Sequence, residues 1–317
     1  MSVVSSTMGA ASGRKEPPTS YDFLPEFVEK SYARHETFHV RFGWLKKGFD
    51  RAVDSSDVFL AEDATVRLGV GKNMVRSIRY WCRAFKLLED DQPTDFGRRL
   101  LGMDGWDPYL EDPASLWLLH WRLLEPTCEA AAWYFAFNHL RSAEFTAETL
   151  TDELTRFATQ DGTKVAESSL KKDAICLLRT YATQGASGRK GMHEDSLDCP
   201  FAELGLIERM GDARHYRFRM GEKRSLPPEV VVAAVLEFAA RRSSQASTVS
   251  IASLLYDPGS PGQVFKLTES ALYGAIDRGV RDVEELRVSD AGGIVQVEFD
   301  GDPLNLAARS LARYYTA

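Results

Sequence analysis

Between Arg67 and Lys86 the chain reads RLGVGKNMVRSIRYWCRAFK, with six Lys or Arg and no acid. Gly71 can supply the tight turn that starts a helix, and from there Lys72, Arg76, Arg79 and Arg83 recur at i, i+4, i+7 and i+11, one face of one helix. The chemistry such a face offers is polyanion binding. Arg and Lys neutralise phosphates, Arg can read guanine, and Asn73 lies near the helix start, where recognition helices touch bases and an Asn can pair with adenine. The competing reading is a solvated charged face on an ordinary core helix. Val75, Ile78, Cys82 and Phe85 form the opposite face, flanked by Met74 and Trp81, and are expected to enter a core.

Other residues offer weaker chemistry. Lys46 and Lys47 on the preceding predicted helix can clamp a nucleic-acid backbone or be surface charges, and Lys171, Lys172 and Arg179 form a second basic group, weakened by Glu167 and Asp173 beside it. Lys266, Glu269, Asp277 and Arg278 are of mixed sign and suggest packing or a protein partner. Asp104, Asp107, Glu111 and Asp112 fall within nine residues. A metal-assisted nuclease needs carboxylates to hold Mg²⁺ or Mn²⁺ and to ready water. However, Asp112-Pro113 also reads as a cap followed by a helix-starting proline and Asp107-Pro108 as a turn, and no Lys follows at the short spacing that restriction-type nucleases use. His35 and His39 are spaced i, i+4 without an evident Cys or carboxylate partner, whereas His120 and His139 lie among aromatics and are expected to be hydrogen-bonded core residues. There is no G-x-S-x-G, P-loop or dinucleotide fingerprint; Gly69-Val70-Gly71-Lys72 lacks the spacing of a phosphate loop.

The elements that must position these residues are mostly helices. GWLKKGFDRAV (Gly43–Val53) predicts a helix with Trp44, Leu45 and Phe49 on one side, and Ser55 or Ser56 can cap a second helix, DVFLAEDATVRL, stopping at Gly69. With the basic helix third, these form a helix-turn-helix pattern. Leu87-Leu88, EDDQPT and DFGRRLL can supply the small hairpin of a winged variant. SLWLLHWRLL and EAAAWYFAFNHL, separated at Pro126, predict a buried helical hairpin carrying Trp117, Trp121, Trp133, Tyr134, Phe135 and Phe137.

Helices over Thr146–Phe157 and Ser169–Tyr181 resemble a second helix-turn-helix, followed by a Gly- and Ser-rich loop and a hairpin from LGLIERM to ARHYRFRM. LPPEVVVAAVLEFAARR predicts a helix started by Pro, TVSIASLLYDPGSPGQVFKLTESALYGAIDR two more around a Pro-Gly turn, ELRVSDAGGIVQVEF a hairpin turning at Asp290 to Gly293, and DPLNLAARSLARYY a closing helix. The expected fold is therefore mostly α with small β-hairpins, built as tandem winged-helix or helix-turn-helix-like modules. The expected divisions are a disordered tail at 1–20, a DNA-binding module at 21–104, a helical and second winged-helix-like module at 105–225, and a C-terminal one at 226–317.

With 317 residues, 44% of them apolar, the chain is long enough for two or three cores. A net charge of −7 argues against indiscriminate coating of nucleic acid, so any DNA contact should be local. No apolar run reaches the length of a bilayer span and the N-terminus lacks a leader pattern, which together predict a cytoplasmic protein. Cys82, Cys128, Cys176 and Cys199 are scattered without a C-x-x-C pair and are expected to be buried free thiols in a reducing compartment.

FHVRFGWLKKGFD, LGVGKNMVRSIRYWCRAFKLL, GWDPYLEDPASLWLLHW, SLDCPFAELGLI and SPGQVFKLTESAL, spanning Phe38 to Leu272, resemble a bacterial domain-of-unknown-function family, the SspB-like proteins of single-stranded DNA phosphorothioation. The resemblance implies phage defence through a modification in which sulfur replaces a non-bridging phosphate oxygen. It further implies nicking of one strand of duplex DNA for sulfur insertion, alongside a cysteine desulfurase, an ATPase and an ATP-pyrophosphatase-like enzyme. It assigns no catalytic residue. A non-enzymatic winged-helix regulator and a scaffold subunit are the alternative readings.

Overall fold

The structure, a computed structural model, describes residues 26, 28–160, 162–183, 199–211, 214–243, 245–281 and 283–316, so the expected tail at 1–20 and most of the Gly- and Ser-rich loop lie outside the described residues. The described residues fold mostly into helices, with three small antiparallel sheets. They open with α1 (Trp44–Asp54), α2 (Ala64–Leu68) and α3 (Lys72–Ala84). Trp44, Leu45, Phe49 and Ala52 of α1 and Val75, Ile78, Trp81 and Cys82 of α3 are all buried, as their helical spacing requires. Gly48 permits the close approach of the two helices, because a Cβ there would stand 2.5 Å from Cys82 Sγ and 2.7 Å from Ile78 Cγ2.

Three local expectations are corrected. DVFLAEDATVRL is helical only over α2; residues before it wind through turns with i→i−3 bonds such as Val58 N to Ser55 O and Leu60 N to Asp57 O, too tight to propagate an α-helix. The left-handed turn between α2 and α3 is made by Gly69, at φ 64°, while Gly71 is extended at the start of α3. DFGRRLL is not part of the hairpin but forms α4 (Asp95–Leu101), because the Thr94 side chain caps it by accepting from Gly97 N at 2.9 Å. The hairpin itself is β1 (Leu88–Glu89) and β2 (Gln92–Pro93), joined through Asp90 and Asp91 at φ 46° and 62°. Positive φ at both central residues is the geometry of the tightest hairpin turns.

The aromatic segment forms α5 (Pro113–Leu124) and α6 (Ala131–Asn138), both buried almost all round. Then follow β3 (Glu144–Phe145), α7 (Ala147–Ala158), α8 (Glu167–Tyr181), a 3-10 turn (Pro200–Leu204), β4 (Ile207–Arg209) and β5 (Tyr216–Phe218), with strand order β3-β5-β4. The last third contains α9 (Pro228–Arg242), β6 (Thr248–Ser250), α10 (Ile251–Tyr256), α11 (Pro261–Val264), α12 (Glu269–Val280), β7 (Leu286–Ala291) and β8 (Ile294–Phe299). Its strand order, β6-β8-β7, repeats the earlier pattern: a lone strand before the helices pairs with the second strand of the hairpin after them. α13 (Pro303–Thr316) packs along α9. TVSIASLL therefore starts as a strand and turns into a helix at Ser250, whose hydroxyl accepts from Ser253 N, and the Pro-Gly region holds three helices where two were expected.

Buried polar contacts tie distant segments together. His120 of α5 has Nδ1 at 2.7 Å from the Tyr181 hydroxyl and Nε2 at 2.9 Å from the Val264 carbonyl. Arg122 grips both carboxylate oxygens of Glu237 on α9, Glu125 joins Arg122 to Arg241, and Trp121 donates to Glu237, so two cations balance two anions. All four cysteines are free and buried, and burial pushes the Cys128 thiol up to about 11, away from the thiolate that reactivity requires. Among the described residues no helix is long and apolar enough to cross a membrane.

Candidate nucleic-acid interface

The basic face of α3 forms, but its cations are not equivalent. Lys72, Asn73 and Arg76 are exposed at the N-terminal half. No side chain caps the helix at Gly71, so its first N–H groups and positive dipole end stand beside Lys72. Arg76 meets Glu36 at 3.4 Å, an open pair. Further along, Arg79 is locked to Asp91 at 2.7 Å; the Asp91 side chain is only 7% exposed and sits in the β1–β2 turn. Arg83 pairs with Glu129 at 3.3 Å. The C-terminal half of the face thus holds the hairpin and the α5–α6 connection to α3, while the N-terminal half is open to solvent.

Lys46 is mostly buried and bonds Asp50 at 2.7 Å and the Leu101 carbonyl at 3.2 Å, so it joins α1 to α4, whereas Lys47 is exposed. Lys171, Lys172 and Arg179 are exposed on α8. Asp173, by its sequence position a charge diluting that group, is instead buried. Its carboxylate accepts from Ala33 N at 2.9 Å and lies 2.6 Å from His35 Nε2. His35, stacked on Trp81, is therefore an interior partner of Asp173. Around it Ala33, Glu36 and Thr37 take left-handed conformations, with φ of 58°, 51° and 69°. This pinned turn presents Arg34 to the α3 face. Arg34, Arg76, Arg79 and Arg83 together line a cleft of about 320 Å³ with Glu36, Tyr80 and Glu129. No spacing in the sequence links Arg34 to α3; the contact is made by the fold alone.

The acidic block is engaged locally. Asp107 is buried and its two oxygens accept from the backbone N–H groups of Glu111 and Asp112, both at 2.9 Å. Asp112 caps α5 by accepting from Ala114 N and also accepts from the Tyr314 hydroxyl. Asp107 and Asp112 thus have oxygens turned to backbone donors, and among the described residues no group of three His, Cys, Asp or Glu is placed to hold a metal ion. A second cleft, about 700 Å³, adjoins the arginine-lined one at Arg83 and Glu129 and is bounded by Glu29, Lys86, the β1–β2 hairpin and the Arg122–Glu125 pair. Lys86 donates to the Thr127 carbonyl, and its burial holds its pKa below the usual lysine range, while burial raises that of Glu129.

No curated protein matches the chain. Among solved structures it is similar to a crystal structure of SspB, at 38% identity and a TM-score of 0.85 over 91% of this chain and 89% of that one. A magnesium ion-bound crystal structure of SspB is similar at 37% identity and a TM-score of 0.86, covering 94% and 91%. The family described as "Protein of unknown function (DUF4007)" matches residues 32–315. With nearly the whole chain matched in both sequence and structure, the protein belongs to this DUF4007, SspB-like family.

Proposed function

We propose that the protein is a DNA-binding component of a DNA phosphorothioation system and nicks one strand of duplex DNA to admit sulfur. The observation that carries the DNA reading is the open N-terminal half of α3, where Lys72, Asn73, Arg76 and an uncapped helix start face solvent together. The similarity to SspB supports the modification setting; the partners proposed with it are a cysteine desulfurase, an ATPase and an ATP-pyrophosphatase-like enzyme.

The element orders support winged-helix modules: at 105–225 and 226–317 the strand orders β3-β5-β4 and β6-β8-β7 each join a lone strand to the hairpin behind two or more helices, and at 21–104 three helices precede the β1–β2 hairpin, without a lone strand among the described residues. In such a module α3 enters the major groove N-terminus first: Asn73 meets a base edge while Lys72 and Arg76 take the flanking phosphates. The β1–β2 tip, with exposed Glu89 and Asp90, is repelled by phosphate and stays off the backbone. Lys47 adds a backbone contact from α1, and Lys171 and Lys172 a second basic surface on α8. The neighbour's magnesium motivates Mg²⁺ or Mn²⁺ as the nicking cofactor.

A non-enzymatic DNA-binding subunit is the second reading, favoured by the engagement of Asp107 and Asp112 with backbone N–H groups. Supercoiled plasmid incubated with Mg²⁺, Mn²⁺ or a chelator separates the two. Metal-dependent conversion to open circle supports the nickase; tight binding with the plasmid left intact, even when the partner enzymes are added, refutes it in favour of the second reading.

A further inference from the structure

We propose that the cleft lined by Arg34, Arg76, Arg79 and Arg83 holds a single phosphate group of a locally unpaired DNA strand, at a place distinct from the major-groove contact of Lys72 and Asn73. This rests on the DNA-binding reading above. Of the four arginines lining the cleft, three pair with carboxylates, those of Glu36, Asp91 and Glu129, and Arg34 has no ion-pair partner among the described residues. The three pairs differ in kind. Arg79 sits at 2.7 Å from a buried Asp91, a full charge-assisted bond. Arg76 to Glu36 and Arg83 to Glu129, at 3.4 and 3.3 Å, are longer than such bonds and leave guanidinium donors available. Arg79 is therefore a fixed wall and Arg34 and Arg83 are the grips, while Arg76, which takes a duplex phosphate, only borders the cleft.

The placement of Arg34 is a product of strain. Three non-glycine residues in left-handed conformations flank it, and the turn persists because Asp173 accepts from Ala33 N and pairs with His35 in the interior. At about 320 Å³ the cleft lies at the small end of ligand sites, room for one phosphate with part of its sugar and too little for a duplex. Planar guanidinium forks on the walls of so small a space can match the tetrahedral oxygens of one phosphate bidentately, which lysines would not do. The phosphate comes either from a DNA strand that has left the stack or from a free phosphate compound.

The test compares the full-length protein with Arg34→Ala, Arg34→Lys and Lys72→Ala, using a fluorescein-labelled duplex, the same duplex with a short central gap, and pyrophosphate. Arg34→Ala should bind the gapped probe about tenfold more weakly, the intact duplex as wild type does, and melt at the wild-type temperature. Arg34→Lys should recover only part of the loss, because the charge returns without the fork. Lys72→Ala should weaken both probes. Wild-type affinity of Arg34→Ala for the gapped probe, equal losses on both probes, or full rescue by Arg34→Lys each overturns the proposal. If the wild-type protein binds neither probe, the DNA reading fails, and pyrophosphate decides the cleft. A rise in melting temperature with pyrophosphate, absent in Arg34→Ala, supports a phosphate site for a free ligand, and no rise overturns it.

Discussion

Replacing Lys72 and Arg76 together by Ala should lower DNA affinity and flatten its salt dependence while leaving the fold intact. Lys72 is exposed, and Arg76 is 56% exposed with only an open pair to Glu36, so removing both leaves no buried charge uncompensated. Each phosphate neutralised contributes about 0.9 to the slope of log affinity against log salt, so two lost contacts reduce the slope by about 1.8. Between about 0.05 and 0.2 M salt the wild type should then lose about twelvefold more affinity than the double variant. Arg79→Ala is the contrasting change. It strands Asp91, whose side chain is 7% exposed, and should cost about 2–3 kcal/mol of stability, less than for a fully buried pair because Arg79 is one-third exposed. Fluorescence anisotropy across a salt series gives the slopes, and urea unfolding gives the stabilities. An unchanged slope in the double variant refutes the assignment of the open half of α3 to DNA. Wild-type stability in Arg79→Ala refutes the division of that face into an open half and an anchored half.

Two further outcomes test the interior. Burial holds His120 down at about 4 against an ordinary 6.5, so between those values the unfolded chain takes up a proton that the folded chain does not. Its contribution is present in full above pH 6.5 and is lost as pH falls toward 4, on the order of 3 kcal/mol at most; urea melts at the two ends should show that His120→Gln removes this part of the acid destabilisation. Gly97→Ala pushes a methyl group onto the Leu87 carbonyl oxygen and to 3.0 Å from Phe49 Cε2. It should destabilise by about 1–3 kcal/mol in the same assay, and a neutral result contradicts the close packing of α4 on α1 and on the Leu87 backbone just before β1.

Much of the local architecture was legible in the residues. The i, i+4, i+7, i+11 cations and the intervening Val75, Ile78 and Cys82 define α3 and its two faces, because helical period alone separates them. Pro113 after Asp112 marks the start of α5, and Gly292-Gly293 the turn between β7 and β8, because each conformation demands those residue types. β3 and β6 were hidden: strands of two and three residues have no readable period, and they exist only because β5 and β8 pair with them. The function of each charge was likewise undecided by sequence. Arg79 and Arg83 share a helix face with Lys72, yet acids far along the chain, Asp91 and Glu129, engage them. Asp173 reads as a surface charge and is a buried anchor, while Arg34 reads as nothing and completes a cleft. Periodicity reports which side of its own element a residue occupies; which partner waits on that side is set by how distant elements pack, and only the tertiary structure decides that.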